Sequence, residues 1–256
     1  MARRDESTQA RLERDLAELK LPEIARNYRE VLDEAARKGS SMLEVLATLI
    51  GMEQTARQQR ALQRRLLEAR LPKPKTVTEY DFSFPKRIPK AAILRLFDCD
   101  FITRHGCAVL IGPTGTGKSH LLTALGYTAA ERGYSVRHTR VVDMINHLTT
   151  AQINGLLGKA LKTYVRPSLL LLDELGYLPI DKRGADLLFQ VVAARYETGS
   201  IVLTTNRPFR EWGALFDVDN TLATALIDRL MHHGEAIVIQ GASYRMKDKD
   251  PDSTSA

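Results

Sequence analysis

One stretch decides how this chain folds: Gly112-Pro113-Thr114-Gly115-Thr116-Gly117-Lys118-Ser119. It lies between the apolar run Ala108–Ile111 and a segment of helical pattern that begins near His120. Glycines at this spacing let backbone N–H groups turn toward phosphate oxygens, the lysine reaches the β and γ phosphates, and the serine hydroxyl can bind Mg²⁺. The pattern therefore predicts a triphosphate-binding loop between a strand and a helix, with residues 112–120 contacting the nucleotide.

Composition sets the broad class of the protein. The chain has 256 residues, 44% of them hydrophobic, which suffices for one α/β domain and a smaller second domain. Lys and Arg number 37 against 31 Asp and Glu, and this net charge of +6 permits a nucleic-acid partner without requiring one. The two cysteines, Cys99 and Cys107, lack a metal-binding or disulfide pattern. With no apolar run of membrane-spanning length and no signal-peptide core, we expect a cytoplasmic protein without a membrane partner.

The first seventy residues predict three helices. Leucines recur at helical spacing after Ser7, and a second helical pattern starts at Pro22 and ends at Gly39. The third helix opens with the capping box Ser41-Met42-Leu43-Glu44 and runs to about Arg70, where a proline-lysine stretch breaks it. We therefore predict a helical partner- or DNA-binding domain over residues 1–72, a linker over 73–90, an ATPase domain over 91–246 and a disordered tail over 247–256.

Beyond the linker, short apolar runs alternate with helical stretches. Five of these runs are predicted strands: Ala108–Ile111, Ser135–Thr139, Leu169–Leu172, Ile201–Thr204 and Ala236–Ile239. Strands that alternate with helices indicate an α/β fold with a parallel sheet covered on both faces. Right-handed crossovers place the loops after the strands at one edge, so we expect the chemistry at the carboxyl ends of the strands.

Two acidic residues follow the third predicted strand. Asp173 is predicted to bind Mg²⁺ together with Ser119, and Glu174 to orient or deprotonate the attacking water. The sequence Asp173-Glu174-Leu175-Gly176 also fits the D-x-x-G pattern of guanine-nucleotide switches. The chain has no Asn-Lys-x-Asp segment to read guanine, so ATP is the better prediction.

Two further residues are candidates for the catalytic reaction. Asn206 ends the fourth predicted strand, where its amide can reach the water between the γ phosphate and the acidic pair; the alternative role is that of a turn-forming residue. Arg229 lies in a partly apolar helical stretch, from which it can reach the γ-phosphate site of a neighbouring subunit. The alternative role of Arg229 is a surface ion pair.

These motifs resemble those of one protein family. The loop 112–119, Asp173–Tyr177, Thr205–Phe209, Trp212 and Asp228–Leu230 resemble the IstB-like transposition helper ATPases. These are AAA+ proteins encoded beside a transposase in bacterial insertion sequences and are related to the DnaC helicase loader. The resemblance spans nearly the whole chain. It implies a bacterial protein with a five-stranded P-loop sheet of AAA+ type. It also implies that the C-terminal helical lid is absent, since only a short tail follows Ile239. Without a lid, Arg245 is a candidate for part of the nucleotide contact.

The resemblance also implies partners. ATP with Mg²⁺ would lie between subunits of a homo-oligomer, with Arg229 acting in trans, and the oligomer would assemble on DNA and recruit or stimulate a transposase.

Residues 51–75 carry 7 basic against 2 acidic side chains, whereas the first fifty carry 9 against 10. Predicted DNA contacts are therefore Arg57, Arg60, Arg64 and Arg65 on the third helix. A second candidate is a basic loop with Lys159 and Lys162, which in AAA+ assemblies would face a central channel. Binding is expected to be independent of DNA sequence.

Two other functions remain open from the sequence. A replicative helicase loader of the DnaC type would share the ATPase chemistry and differ in its partner. A phosphotransferase acting on a small molecule would share the triphosphate loop, although no segment stands out as its acceptor pocket.

Overall fold

A computed structural model of the chain describes residues 7–216 and 220–244. Its contacts divide the chain into two compact units, Met1–Arg64 and Arg65–Ala256, which are described separately. The segment limits expected from the sequence stay predictions. The predicted tail and the Arg245 candidate lie outside the described residues.

The first unit is helical. Its helices are α1 (Thr8–Glu18), α2 (Pro22–Lys38) and α3 (Met42–Ala69), of which α3 continues past Arg64. The predicted end signals are present: Gly39 ends α2 in the left-handed region at φ 70°. At the start of α3, the Glu44 carboxylate accepts the Ser41 N–H at 2.7 Å, and the Ser41 hydroxyl accepts the Glu44 N–H at 3.3 Å.

A buried carboxylate joins two helices of this unit. Apolar packing centres on Leu16, Tyr28, Val45 and Leu49. Beside it, the Glu53 carboxylate of α3 accepts the backbone N–H groups of Glu23 and Ile24, at 2.8 and 3.4 Å, and so caps the start of α2. The side chain of Glu53 is only 4% exposed and pairs with Arg57 and Arg60, at 3.3 and 3.0 Å.

The second unit contains a five-stranded sheet in which every pairing is parallel. Its strands are β1 (Cys107–Ile111), β2 (Val136–Arg140), β3 (Leu169–Leu175), β4 (Ser200–Thr205) and β5 (Gly234–Val238). The strand order is β2-β3-β4-β1-β5, which confirms the predicted α/β fold with a parallel P-loop sheet. Strands β1, β3 and β4 are buried almost throughout and provide the core of the unit.

Helices cover both faces of this sheet. They are α4 (Lys90–Phe97), α5 (Asp100–Thr103), α6 (Lys118–Glu131), α7 (Val141–Ile153), α8 (Leu157–Val165), α9 (Lys182–Arg195), α10 (Trp212–Leu215) and α11 (Asn220–Met231). The connection from β1 to β2 crosses the sheet in the direction opposite to the other connections, so the right-handed crossover rule puts α6 on the face opposite α7, α9 and α11. Accordingly α9 contacts both α7 and α11, and α6 contacts α4.

One predicted loop is wrong. Lys159 and Lys162 lie on helix α8, because Ala160 and Tyr164 recur at helical spacing and bury one face of the segment. Among residues 7–216 and 220–244, no helix combines the length and the apolar character that a membrane crossing requires.

Replacing Glu53 with Gln should weaken the start of α2. Burial raises the pKa of Glu53, but hydrogen bonds from the Glu23 and Ile24 amides and from Arg57 and Arg60 outweigh it and lower the pKa below its ordinary value of 4.5. This stabilisation is present above that value and is lost as the pH falls through the lowered native pKa. We expect faster hydrogen exchange of the Glu23 and Ile24 amides at neutral pH and a smaller difference from wild type in acid.

The exposed Glu30 on α2 supplies the control, as Glu30→Gln. Equal exchange rates in Glu53→Gln and Glu30→Gln at neutral pH would show that the Glu53 charge does not hold α2.

Candidate functional site

The loop of residues 112–117 joins β1 to α6 and depends on its glycines. Gly115 and Gly117 both have φ 84°, in the left-handed region, and Gly117 directly precedes the first residue of α6. A Cβ on Gly115 would collide with the Ser243 side chain, and one on Gly117 with the Tyr80 ring. The N-terminus of α6 thus opens onto a closely packed turn, the arrangement that binds phosphate groups.

Lys118, the first residue of α6, is held inside this turn. It is 4% exposed, and its Nζ donates to the carbonyls of Gly112 and Pro113 at 2.7 and 2.8 Å. Thr116 also bonds back to Pro113, at 2.9 Å. The cation therefore lies beside the glycine turn, within the site where phosphate charge would be bound.

The Asp173 carboxylate connects the ends of β3 and β4 to the start of α6. Its Oδ1 accepts the Ser119 hydroxyl at 3.0 Å and also accepts a short hydrogen bond from the Thr204 hydroxyl. Thr204 Oγ1 in turn accepts the backbone N–H of Glu174 at 2.9 Å. Thr204, which the sequence analysis did not single out, thus fixes both acidic residues; its position at the end of the strand next to β3 is the only sequence signal for it.

A local irregularity in β3 directs Glu174 away from Asp173. The pairing of β3 with β4 shifts register between Leu172 and Leu175, and Glu174 has φ 64°. A bulge re-aims the side chain of the extra residue, and a left-handed φ in a residue other than glycine is a strained conformation typical of functional sites. Glu174 consequently lines the same cleft as Lys118 and Ser119.

The chain before α4 covers one side of the loop. The Tyr80 hydroxyl donates to the Thr116 carbonyl at 2.8 Å, and the His120 ring bonds to the Thr76 carbonyl at 2.8 Å. Tyr80 also makes edge contacts with Phe82 and His120, at ring separations of 4.9 and 5.7 Å. Burial raises the pKa of Tyr80 to about 12, so its hydroxyl remains a donor at neutral pH.

The chain after β5 covers the other side. The Tyr244 N–H donates to the Gly115 carbonyl at 2.9 Å, and its ring packs edge-on against Phe84 at 4.9 Å. Between Arg87 and Gln240, reciprocal backbone bonds of 3.0 and 2.9 Å join the two covering segments.

These elements enclose one cleft. It is lined by Glu79, Tyr80, Asp81, Phe84, Pro85, residues 115–120, Glu174, Tyr177 and Tyr244. The sequence analysis did not identify the aromatic residues of this cleft as site residues. Three aromatic residues within five positions of an otherwise polar linker are the signal that points to them.

Two predicted catalytic residues lie outside this cleft. The Oδ1 atom of Asn206 is buried without a hydrogen-bond partner among the described residues, close to Gly176 and hence next to the acidic pair. Arg229 donates to the Ala225 carbonyl at 3.0 Å, and its guanidinium lies 4.6 Å from the centre of the Phe189 ring. Arg229 therefore does not complete the cleft of its own subunit.

The predicted DNA contacts differ in their surroundings. Arg57 and Arg60 pair with Glu53, as described above, and Arg57 also bonds to the Lys20 carbonyl at 2.9 Å. In the second unit, Arg65 donates to the Ala130 carbonyl at 2.9 Å. Arg64, Lys159 and Lys162 lie on helices and are all exposed. Contact of any of these residues with DNA stays a prediction.

The donor set fits a magnesium nucleotide. Mg²⁺ prefers oxygen ligands in an octahedral arrangement and usually binds through one or two protein groups plus substrate phosphates. The Ser119 hydroxyl and the Asp173 carboxylate are 3.0 Å apart and supply such oxygens at the edge of the cleft. The glycine turn, the buried ammonium of Lys118 and the N-terminus of α6 together fit a polyphosphate.

Comparison with known sequences agrees with this site. Residues 14–251 match the family described as IstB-like ATP binding protein. A protein of insertion sequence IS21 from Pseudomonas aeruginosa, named for ATP binding, is 37% identical over 234 residues, covering 91% of this chain and 88% of the relative. A similarly named protein of insertion sequence IS5376 from Geobacillus stearothermophilus is 37% identical over 231 residues, covering 90% of this chain and 92% of the relative.

Solved structures share the fold. AMPPCP-bound DnaA from Aquifex aeolicus matches with a TM-score of 0.57 and 22% identity over 70% of this chain and 54% of that chain. DnaA bound to AMPPCP and single-stranded DNA gives a TM-score of 0.58 at 22% identity, covering 70% and 55%. DnaI gives 0.55 at 18% identity, covering 70% and 92%. At these identities the likeness establishes the architecture alone.

Replacing Thr204 with Val should destabilise the second unit. Valine keeps the shape but leaves the Glu174 N–H without its acceptor and removes a donor from Asp173, and each buried group left unpaired costs about 1–3 kcal/mol. We expect the free energy of unfolding, measured with denaturant, to fall by about that amount. Thr204→Ser retains the hydroxyl and should recover most of the lost free energy of unfolding. Equal stability of the Val variant and wild type would mean that this hydroxyl holds neither acidic residue.

Proposed function

The chain belongs to the family of IstB-like ATP-binding proteins, and from this premise we propose that it is an insertion-sequence ATPase. It binds and hydrolyses ATP with Mg²⁺, assembles on DNA in its ATP-bound form, and recruits or stimulates a transposase. The proposal is supported by the insertion-sequence relatives at 37% identity.

One observation carries the ATPase assignment: the Ser119 hydroxyl of the glycine loop bonds to the Asp173 carboxylate at the end of β3. These are the two protein groups that would hold Mg²⁺, and the chain brings them together from positions 54 residues apart. A loop that only bound phosphate would not require an acidic partner at this point.

The residues of the loop would bind the nucleotide. Lys118 and the backbone N–H groups of residues 114–119 would hold the phosphates, and Tyr80, Phe84 and Tyr244 provide the apolar part of the cleft. Mg²⁺ held by Ser119 and Asp173 would neutralise phosphate charge.

Glu174 is the proposed general base. Its backbone is fixed by Thr204 while its side chain lines the cleft, so the carboxylate can orient a water and accept its proton. Asn206 lies next to Gly176, and its amide oxygen has no hydrogen-bond partner in the described part of the chain, so it can hold that water or respond to the occupancy of the site.

Arg229 is the proposed contribution of a neighbouring subunit. It lies outside its own subunit's cleft and packs on Phe189, so any contact with a γ phosphate must be made in trans. Such an arginine stabilises the charge that develops as the phosphoryl group leaves. This role makes hydrolysis depend on a homo-oligomer.

The proposed partners follow from family and fold. The relatives named above belong to insertion sequences, which favours a transposase over a replicative helicase, since the DnaI likeness shows only the fold. One structure of that fold, the DnaA complex described above, holds single-stranded DNA together with AMPPCP, and DNA is the polymer on which we propose this chain assembles.

Lys118→Ala and Glu174→Gln should separate binding from chemistry. Removing the loop ammonium should abolish ATP binding in calorimetry, whereas Glu174→Gln should bind ATP normally and lose about 10²–10⁴-fold in hydrolysis, the typical contribution of a general base. Glu174→Gln should also trap the assembly on DNA. Equal loss of ATP binding in both variants would contradict the separate roles.

Arg229→Gln should lower the rate of ATP hydrolysis by about 10³–10⁵-fold, the range for an arginine finger. It should not weaken ATP binding. Mixing it with Lys118→Ala should restore turnover, because mixed interfaces combine an intact loop with an intact arginine. Arg104→Gln, at an exposed arginine, is the control and should keep full activity. If the mixture remains inactive, the trans role is refuted.

A further inference from the structure

The edge strand β2 borders a second, basic cleft within the second unit. We call this cleft the β2 cleft. Five cationic side chains contribute to its lining: Arg65, Arg70, Arg137, Lys162 and Arg166. The cleft has a volume of about 490 Å³, and Glu68 is the acidic residue in its lining. None of the ATP-site residues lines it.

The cations of the β2 cleft have no carboxylate partner in the part of the chain that the structure describes. Among the described residues, none of the five forms an ion pair with a carboxylate. By contrast, Arg57 and Arg60, the strongest sequence candidates for DNA contact, share the buried Glu53. Uncompensated like charges in one concave surface repel one another, so this surface is stabilised by an anion from outside.

Among the five cations, Arg137 shows the uncompensated positive charge most directly. It lies on β2, donates from Nη1 to the Glu68 carbonyl at 3.2 Å, and its guanidinium is 5.9 Å from the centre of the Tyr164 ring. Its Nε is buried and has no hydrogen-bond partner among the described residues. Partial burial and the neighbouring Arg70 lower the pKa of Arg137, because both disfavour its charge. A nearby anion would relieve this repulsion.

We propose that the β2 cleft binds the phosphate backbone of DNA. This inference rests on the proposed assembly of the chain on DNA and names the surface that makes the contact. Arginine and lysine side chains are the usual partners of backbone phosphates, and five of them along one open cleft match successive phosphates better than a single small anion. The lining contains no Asn or Gln to pair with adenine and no aromatic ring to stack on a base, which favours contacts to the backbone.

The position of the cleft also distinguishes it from the sites predicted from the sequence. Of the predicted contacts, Arg65 and Lys162 belong to it, and Arg70 belongs to the basic stretch 51–75; Arg137 and Arg166 are new. The five cations of the β2 cleft lie on β2 and at, or just after, the C-terminal ends of α3 and α8. Only the folded second unit brings them together.

The test is a triple variant, Arg70→Gln with Lys162→Gln and Arg166→Gln, in the full-length protein. All three side chains are exposed, so the fold should be retained. Its charge-matched control replaces Arg11, Arg104 and Lys182, also exposed and outside the cleft, with Gln. Binding of a short DNA duplex of random sequence is measured with a non-hydrolysable ATP analogue over about 50 to 200 mM salt.

The triple variant should bind duplex more weakly, and its plot of log affinity against log salt should flatten by about 0.9 for each lost phosphate contact. The control should bind like wild type, and all proteins should bind the ATP analogue equally. Each single substitution, measured separately, should flatten the plot by about 0.9 and so provides the test if the triple variant does not fold.

Three results would overturn the proposal. Wild-type affinity and salt dependence in the triple variant would place the DNA contact elsewhere and leave the proposed function standing. Failure of the wild-type protein to bind DNA at all would refute the proposed assembly together with this site. Loss of polyglutamate binding in the triple variant with unchanged DNA binding would identify an acidic peptide as the occupant.

Discussion

The Asp173 carboxylate is the constraint on which the second unit depends. One oxygen of this side chain accepts hydroxyl groups from Ser119 at the start of α6 and from Thr204 in β4. A buried carboxylate is tolerated only when its lone pairs are satisfied, so these hydroxyls fix the spacing between the glycine loop and the end of β3. The same Thr204 oxygen holds the Glu174 backbone, and the geometry of both acidic residues is therefore set by one buried hydroxyl.

Parallel topology makes this arrangement possible. Strands β1 and β3 both pair with β4, so the loop after β1 and the acidic residues at the end of β3 lie at one edge, on either side of Thr204. The covering segments complete the site because Arg87 and Gln240 pair at that edge and bring Tyr80 and Tyr244 onto opposite sides of the loop. The site is thus built from five stretches of chain, which backbone and side-chain hydrogen bonds hold together.

Much of this protein could be predicted from local sequence. The capping box at Ser41, the stop at Gly39 and the five strands were all predicted, because end signals and apolar runs act within a few residues. The α8 segment was misjudged as a loop because the helical spacing of its apolar residues was overlooked. Charge density predicted Arg57 and Arg60 as DNA contacts, and it could not show that a buried carboxylate partner lies four and seven residues away; their contact with DNA stays a prediction.

The sequence alone determined the class of chemistry: a glycine loop with Lys118 and Ser119, and an acidic pair at the end of an apolar strand, are encoded in contiguous residues. Only the tertiary structure decided that Thr204 would link Asp173 to Glu174 and that cations from three elements would gather beside β2. The physical reason is that hydrogen bonding and charge repulsion act between residues that are close in space. Strand order, which local periodicity does not specify, determines which residues those are.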